Sequence, residues 1–165
     1  MSLPLRADAI ELVAMTQVEF ERFQSIAIAE YAADNVAAGR WPAAHAEALA
    51  REDFARLLPQ GTATPSHWLY RIRVPALDCS VGDLWFALDG EGEACSGYLY
   101  NIRVEPEFRG RGHAKAALEA LVDRAREMGL ASIGLHVFAF NTTALALYRS
   151  LGWGITGQLM RKPLR

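Results

Sequence analysis

Apolar side chains in the first third of the chain recur with the periods of one strand and two helices. An apolar run at residues 9–14 predicts a strand, and Thr16 with Glu19 matches the capping box of a helix N-terminus. The spacing of three and four residues that follows predicts one buried helix face, made by Phe20, Phe23, Ala27 and Tyr31. This helix is expected to end at Gly39, and a second helix is predicted over residues 42–58, opening on a proline.

The middle of the chain changes to short segments rich in aromatic and β-branched residues, at 68–74, 84–88 and 98–104. Pro75, Gly82 and a glycine-rich acidic turn at 89–92 separate them, so we predict an antiparallel meander.

Beyond residue 113 the pattern predicts a helix at 114–128 ended by Gly129, a strand at 132–138, a helix at 142–151 and a last strand at 155–162. The apolar stripe of the first of these helices consists of Ala114, Ala117, Leu118, Leu121, Val122 and Ala125. The order of elements indicates an α/β (α+β) fold, in which helices flank a mixed sheet.

Composition narrows the class of protein without naming its partner. With 165 residues, 52% hydrophobic and 22% charged, we expect one soluble globular domain spanning residues 1–165. A net charge of −2 predicts no general attraction to nucleic acid or to an anionic membrane, and no stretch has the length of a membrane span. Cys79 and Cys95 form no metal-ligand or disulfide pattern, so we expect no metal site and a cytoplasmic protein with reduced thiols.

A basic, glycine-rich loop precedes the helix predicted at 114–128. Glycines at a helix start let backbone amides approach an anion, and the helix dipole favours negative charge there. Arg109, Arg111 and His113 add donors, so the loop predicts a phosphate site, although a well-capped basic turn before a core helix would look the same. A P-loop sequence is absent, and a dinucleotide fingerprint counted from Gly110 fails because Lys115 stands where its third glycine belongs.

Two motifs together resemble those of the GNAT acetyltransferases. Arg109, Gly112 and Ala114 fit the pattern Arg/Gln-x-x-Gly-x-Gly/Ala of the family's motif A. Downstream, residues 135–153 resemble motif B, with Trp153 where Phe is commonest. Within it, helical spacing puts Asn141 and Tyr148 on one side of the helix predicted at 142–151, although Tyr148 alone could equally be a core aromatic.

The resemblance implies a mixed, mostly antiparallel sheet of six to seven strands with about four helices, and an acetyl-CoA-dependent N-acetyltransferase without a metal. It implies that Tyr148 donates a proton to the CoA thiolate, that Asn141 contacts the pantetheine or phosphate arm, and that the strand end supplies backbone partners to pantetheine. The residues expected to bind acetyl-CoA are Ile102, Arg103, Val104, Arg109, Gly110, Arg111, Gly112, His113, Ala114 and Asn141.

The acceptor side carries fewer signals. Some family members place a Glu on the fourth strand, but residues 97–104 contain no carboxylate, so we expect a water relay ordered by Tyr98, Tyr100 and Asn101 to deprotonate the amine. Tyr31 and Trp41 form either a solvated helix end or the lip of an acceptor pocket. The acceptor is expected to be a small-molecule or peptide amine, and a homodimer is a family habit. A non-catalytic acyl-CoA sensor of the same fold remains the alternative.

Overall fold

The computed structural model describes residues 9–90 and 95–164. The turn predicted at 89–92 therefore lies partly outside the described residues. Within the described part of the chain, no helix is both long enough and apolar enough to cross a membrane.

Five strands form one sheet in which spatial order follows chain order. They are β1 (Glu11–Ala14), β2 (His67–Val74), β3 (Cys79–Asp89), β4 (Ser96–Val104) and β5 (Ile133–Leu135). Pairing is antiparallel from β1 to β4 and parallel between β4 and β5. The predicted meander is therefore confirmed, and the single parallel pair is the one joined by a helical crossover.

Four α-helices cover the sheet: α1 (Gln17–Ala37), α2 (Ala46–Leu57), α3 (His113–Glu127) and α4 (Thr142–Ser150). The capping box at the start of α1 is complete, because Thr16 Oγ1 accepts from Glu19 N (3.3 Å) while Glu19 Oε2 accepts from Thr16 N (2.8 Å). The second helix begins four residues later than predicted. Pro42 instead opens a turn closed by a bond from His45 N to Pro42 O (3.1 Å).

The sheet separates two apolar clusters. On one face α1 and α2 bury a cluster that includes Phe20, Phe23, Phe54 and Trp85, whose ring lies edge-on to Phe23 at 6.3 Å. On the other face α3 packs onto the sheet, where the buried members of its apolar stripe are Ala117, Leu118, Leu121 and Ala125. Both predicted helix faces are thus the packed ones, with Tyr31, Ala114 and Val122 partly exposed at their margins.

The predicted count of six to seven strands is wrong for the described residues, which contain five. Residues 155–162 have no regular secondary structure, and β5 covers three residues instead of the predicted 132–138. A β-strand is stabilised by backbone hydrogen bonds to a neighbouring strand. Strand-forming residues without a neighbouring strand within hydrogen-bonding distance remain irregular.

Candidate active site

A β-bulge in β4 shapes the centre of the site. Asn101 pairs with Trp85, whereas Leu99 pairs with the next residue of β3, Phe86, so Tyr100 is the extra residue. A bulge of this kind turns the side chain of the inserted residue and increases local twist. Tyr100 accordingly stacks on Trp85 at 4.4 Å between ring centroids, on the face covered by α1 and α2.

Beyond the bulge, β4 and β5 separate. Their pairing covers only Gly97 to Leu99 on β4, whereas β4 continues to Val104 in pairing with β3. The edge of β4 from Tyr100 to Val104 therefore faces no strand among the described residues. Its alternate N–H and C=O groups are open to a ligand that lies along the strand.

A cleft of about 1270 Å³ begins at this open edge. It extends on one side to the N-terminus of α3 and the β5–α4 connection, and on the other to α1 and α2. Its lining contains these predicted ligand contacts: Ile102, Arg103, Val104, Arg109, Gly110, Gly112, His113, Ala114, Asn141, Tyr148, Tyr31, Tyr98 and Tyr100. The structure thus brings together residues that are more than one hundred positions apart.

The loop at the start of α3 presents backbone amides. Gly110 and Gly112 have φ angles of 73° and 83°, a left-handed conformation that favours glycine. The first bond of the helix runs from Ala116 N to Gly112 O (3.0 Å), so the amides of residues 113–115 precede the helical ladder. They lie at the positive end of the helix dipole, which suits an anionic ligand.

The three basic side chains of this loop have different environments. Arg109 Nε donates to Val104 O (2.8 Å), which ties the loop to the end of β4. Arg111 is exposed, with its guanidinium carbon 5.9 Å from the centre of the Phe108 ring. His113 is only 2% exposed, and neither ring nitrogen has a hydrogen-bond partner among the described residues.

Arg103 serves the architecture of the site through its side chain. Its guanidinium contacts Glu30 on α1 (3.0 Å) and Glu105 (2.8 Å), and Glu105 also accepts from Arg22 (3.2 Å). These contacts fix the end of β4 against α1. The carbonyl of Arg103 lies against Gly82 on β3, so the main-chain groups on the open edge belong to its neighbours Ile102 and Val104, in keeping with the alternation along a strand.

Asn141 lies directly before α4 and Tyr148 within it, and both line the cleft, as their helical spacing predicted. Asn141 is the N-cap, and its Oδ1 accepts from Ala144 N (3.2 Å). Tyr148 lines the cleft, with its ring 5.7 Å from that of Trp153. Burial raises the pKa of the Tyr148 phenol, which keeps it protonated through neutral pH.

Aromatic rings form the floor of the cleft on the side of α1 and α2. Tyr98 contacts Tyr100 edge-on at 4.7 Å, and His67 stacks with Tyr100 at 5.8 Å. His67 Nδ1 accepts from Trp85 Nε1 (3.0 Å), and burial lowers the pKa of its imidazole. His67 therefore acts as a neutral packing residue.

Carboxylates reach the cleft from the helices, where the sequence contains no motif to reveal them. Asp53 on α2 accepts from the hydroxyl of Tyr31 (3.3 Å) and from Arg56 (2.9 Å). Asp34 on α1 also lines the cleft, and burial together with nearby Glu30 raises the pKa of its carboxyl group. His136, left without a role by the sequence, lies at the same cleft after β5, and burial followed by the charge of Arg40 lowers its pKa.

Trp41, predicted at the lip of an acceptor pocket or at a solvated helix end, lies next to the cleft. Trp41 is outside the cleft lining and packs edge-on against Tyr31, with the ring centroids 5.2 Å apart. Trp41 therefore packs against a residue of the cleft lining without lining the cleft itself.

Among residues 9–90 and 95–164, no three His, Cys, Asp or Glu side chains are grouped so as to hold a metal ion.

Known proteins are similar to this chain in sequence and in fold. A model of the acetyltransferase (GNAT) family matches residues 35–153. The uncharacterized N-acetyltransferase YycN of Bacillus subtilis (strain 168) is 37% identical over 155 residues, which cover 94% of this chain and 99% of YycN. The uncharacterized N-acetyltransferase YdgE of the same strain is 33% identical over 156 residues, covering 94% and 99%.

The fold agrees with these sequence matches. The crystal structure of YycN has a TM-score of 0.90 to this chain at 36% identity, with 95% of this chain and 99% of that one covered. Fold and sequence relatives thus define the class as N-acetyltransferase. The chain belongs to the acetyltransferase (GNAT) family, and the resemblance carried by the two motifs is confirmed.

Proposed function

We propose that the chain transfers an acetyl group from acetyl-CoA to a primary amine in a ternary complex. The open edge of β4 beside the amides of residues 113–115 is the observation that carries the proposal. Pantetheine is a linear chain with two amides, which suits an unpaired strand edge, and the CoA pyrophosphate suits a helix N-terminus. The residues present therefore fit the co-substrate at both of its polar parts.

The site has separate regions for the two substrates. Along the open edge, the backbone of residues 102–104 pairs with pantetheine, and a main-chain N–H there polarises the thioester carbonyl. Arg111 and Lys115 add positive charge near the phosphate loop. The acceptor enters from the α1 and α2 side, where carboxylates and aromatic faces attract an ammonium group.

The reaction forms one bond and breaks one. The amine nitrogen attacks the thioester carbonyl carbon, a C–N bond forms, and the C–S bond breaks with its electron pair leaving on sulfur. Tyr148 donates its phenolic proton to that sulfur, a role supported by its position on the cleft. The amine releases its proton to bulk water through a relay ordered by Tyr98, Tyr100 and Asn101.

The side chain of Asn101 supports its proposed place in the relay. Asn101 lines the cleft, and its Oδ1 is buried without a hydrogen-bond partner among the described residues. A buried acceptor of this kind is normally satisfied by water or by a ligand. It therefore supports an ordered water or the amine itself at this position.

Thiol release from acetyl-CoA, measured across a panel of small and peptide amines, tests the proposal. Tyr148→Phe should lower kcat by about 100-fold, as expected for loss of a general acid, while the KM for acetyl-CoA changes little. The wild-type rate should decline only above about pH 10, because the raised pKa keeps Tyr148 protonated, and the variant should lack that limb.

Tyr70→Phe is the matched control, since Tyr70 lies on β2, lines no part of the cleft and packs beside the α3 cluster. It should retain wild-type turnover. Equal turnover of Tyr148→Phe and wild type would exclude Tyr148 as the acid. CoA binding without thiol release on any amine would support the sensor instead.

A further inference from the structure

Helix α1 crosses one face of the sheet from β2 towards β5. Three contacts mark its path, each with the next strand along the sheet: Glu19 with Arg71 on β2 (3.9 Å), Phe23 with Trp85 on β3 (6.3 Å between ring centroids) and Glu30 with Arg103 on β4 (3.0 Å). Arg40, three residues beyond α1, lies near His136, which follows β5, because burial and then the charge of Arg40 lower the pKa of that imidazole. The part of α1 after Glu30 therefore lies over the interval between β4 and β5.

Asp34 is the one charged residue in this last part of α1, residues 31–37. It follows Glu30 by four residues, which places it about 6 Å further along the helix and on the same face. Both residues line the cleft. Beside them β4 and β5 have separated, because their pairing ends at Leu99. Asp34 thus faces the gap between these strands, where the thioester of acetyl-CoA is proposed to lie.

The carboxylate of Asp34 has no partner among the described residues. No donor and no cation contacts it, whereas the neighbouring cleft carboxylates of Glu30 and Asp53 are each paired with an arginine. Asp34 is also partly buried, and burial followed by the charge of Glu30 raises the pKa of its carboxyl group. A partly desolvated carboxylate beside a like charge takes up a proton more readily than an exposed Asp does.

We propose that Asp34 receives the proton that the acceptor amine loses and returns it to bulk water. The inference rests on the proposed acetyl transfer and gives the water relay its end point. The first proton leaves the ammonium group along the relay and protonates the carboxylate, so the neutral amine can attack the thioester carbon. The second proton leaves the nitrogen as the C–S bond breaks and restores the phenol of Tyr148. Asp34 then releases its proton to solvent, so one proton is released for each amine acetylated.

Other charged groups share the cleft with Asp34. They are Glu30 on α1, Arg40 beyond it, Asp53 and Arg56 on α2, Arg103 on β4, and His136 after β5. Asp53 is a poorer proton acceptor, because its carboxylate already accepts from Arg56 (2.9 Å) and from the hydroxyl of Tyr31 (3.3 Å). His136 is the competing acceptor, so the experiment includes its variant.

The pH dependence of kcat for thiol release from acetyl-CoA tests the proposal, with the amine that the wild type acetylates fastest. Asp34→Asn should lower kcat at pH 7 by about 100-fold, the lower end of a general base's contribution, while the KM for the amine changes little. The wild-type kcat should fall towards acidic pH as the carboxylate takes up a proton. In Asp34→Asn this limb should shift to higher pH, because the amine must then lose its proton unaided.

Glu21→Gln is the matched control, since it changes an exposed carboxylate to an amide on the same helix outside the cleft. It should keep the wild-type profile. Asp34→Ala separates proton transfer from a structural role: added acetate should restore part of the lost rate, and chloride at equal ionic strength should not. Both Asp34 variants should fold, because the carboxylate has no described partner to lose, and circular dichroism verifies this.

Three outcomes would overturn the proposal while leaving acetyl transfer intact. These are an unchanged kcat in Asp34→Asn, a raised KM for the amine with unchanged kcat, which would make Asp34 an ammonium-binding residue, and a shifted acidic limb in His136→Gln but not in Asp34→Asn. A wild-type chain that releases no thiol with any amine would instead contradict the proposed function itself, and this inference with it.

Discussion

Gly82 allows β3 and β4 to approach closely at the point where β4 forms the open edge. A Cβ built at Gly82 would overlap the carbonyl oxygen of Arg103 and would lie 3.0 Å from Arg103 C and Val104 Cα. These are backbone atoms, which cannot rotate away as a side-chain tip can. Gly82→Ala must therefore move β4 itself, in the segment proposed to bind pantetheine.

The size of the effect follows from the kind of overlap. Overpacking of a close-packed interior costs about 1–3 kcal/mol, and backbone contact places this change at the upper end. For a chain of 165 residues, about 3 kcal/mol corresponds to a lowering of the thermal midpoint by roughly 6–12 °C. Acetyl-CoA affinity, measured by calorimetry well below that midpoint, should also fall, because the displaced strand no longer presents its backbone groups correctly.

Gly134→Ala is the matched control for this change. Gly134 lies on β5, and its added Cβ would have Tyr98 Cδ2 at 3.6 Å as its nearest neighbour, an ordinary contact. Its thermal midpoint should stay within about 4 °C of wild type, since a glycine-to-alanine change without a clash shifts stability by less than about 1 kcal/mol. Equal midpoints and equal acetyl-CoA affinities for the two variants would refute the reasoning.

Two further predictions concern the aromatic floor of the cleft. Tyr98→Phe and Tyr100→Phe should each reduce kcat only modestly, because a water relay has alternative members; loss of all activity in either variant, measured by thiol release, would indicate a dedicated base. Burial lowers the pKa of His67 below its usual 6.5, so the unfolded chain binds more protons and stability should fall as pH decreases through about 6.5. Scanning fluorimetry at pH 7.5 and 5.5 should show a smaller decrease of the midpoint for His67→Gln than for wild type, and an unchanged decrease would contradict this role.

Local patterns predicted the elements whose stability is itself local. The capping box at Thr16 and the stripe through Leu118 and Leu121 require only the geometry of one helix, and both are present in the structure. The glycine-rich basic loop before α3 could also be predicted, because its glycines, helix start and basic residues are contiguous. Asn141 and Tyr148 were singled out through resemblance, and the structure places both at the cleft, Asn141 as the N-cap of α4 and Tyr148 within that helix.

Features that depend on strand register could not be predicted. The bulge at Tyr100 arises from the pairing of β3 with β4, and Tyr100 stacks on Trp85 at this bulge. Asp53 and Glu30 reach the cleft because α1 and α2 pack across that sheet face, which no local motif encodes. The strand expected at 155–162 was wrong for a related reason, since strand propensity cannot supply a partner strand.

Calorimetric titration with acetyl-CoA and with S-acetylpantetheine tests the central claim most directly, because the second ligand keeps the thioester and pantetheine but lacks the pyrophosphate. If the amides of residues 113–115 hold the pyrophosphate, acetyl-CoA should bind at least about 100-fold more tightly, a difference of about 2.7 kcal/mol that one or two charge-assisted hydrogen bonds can supply. Equal affinities for the two ligands, or no heat with acetyl-CoA at millimolar concentration, would contradict the account.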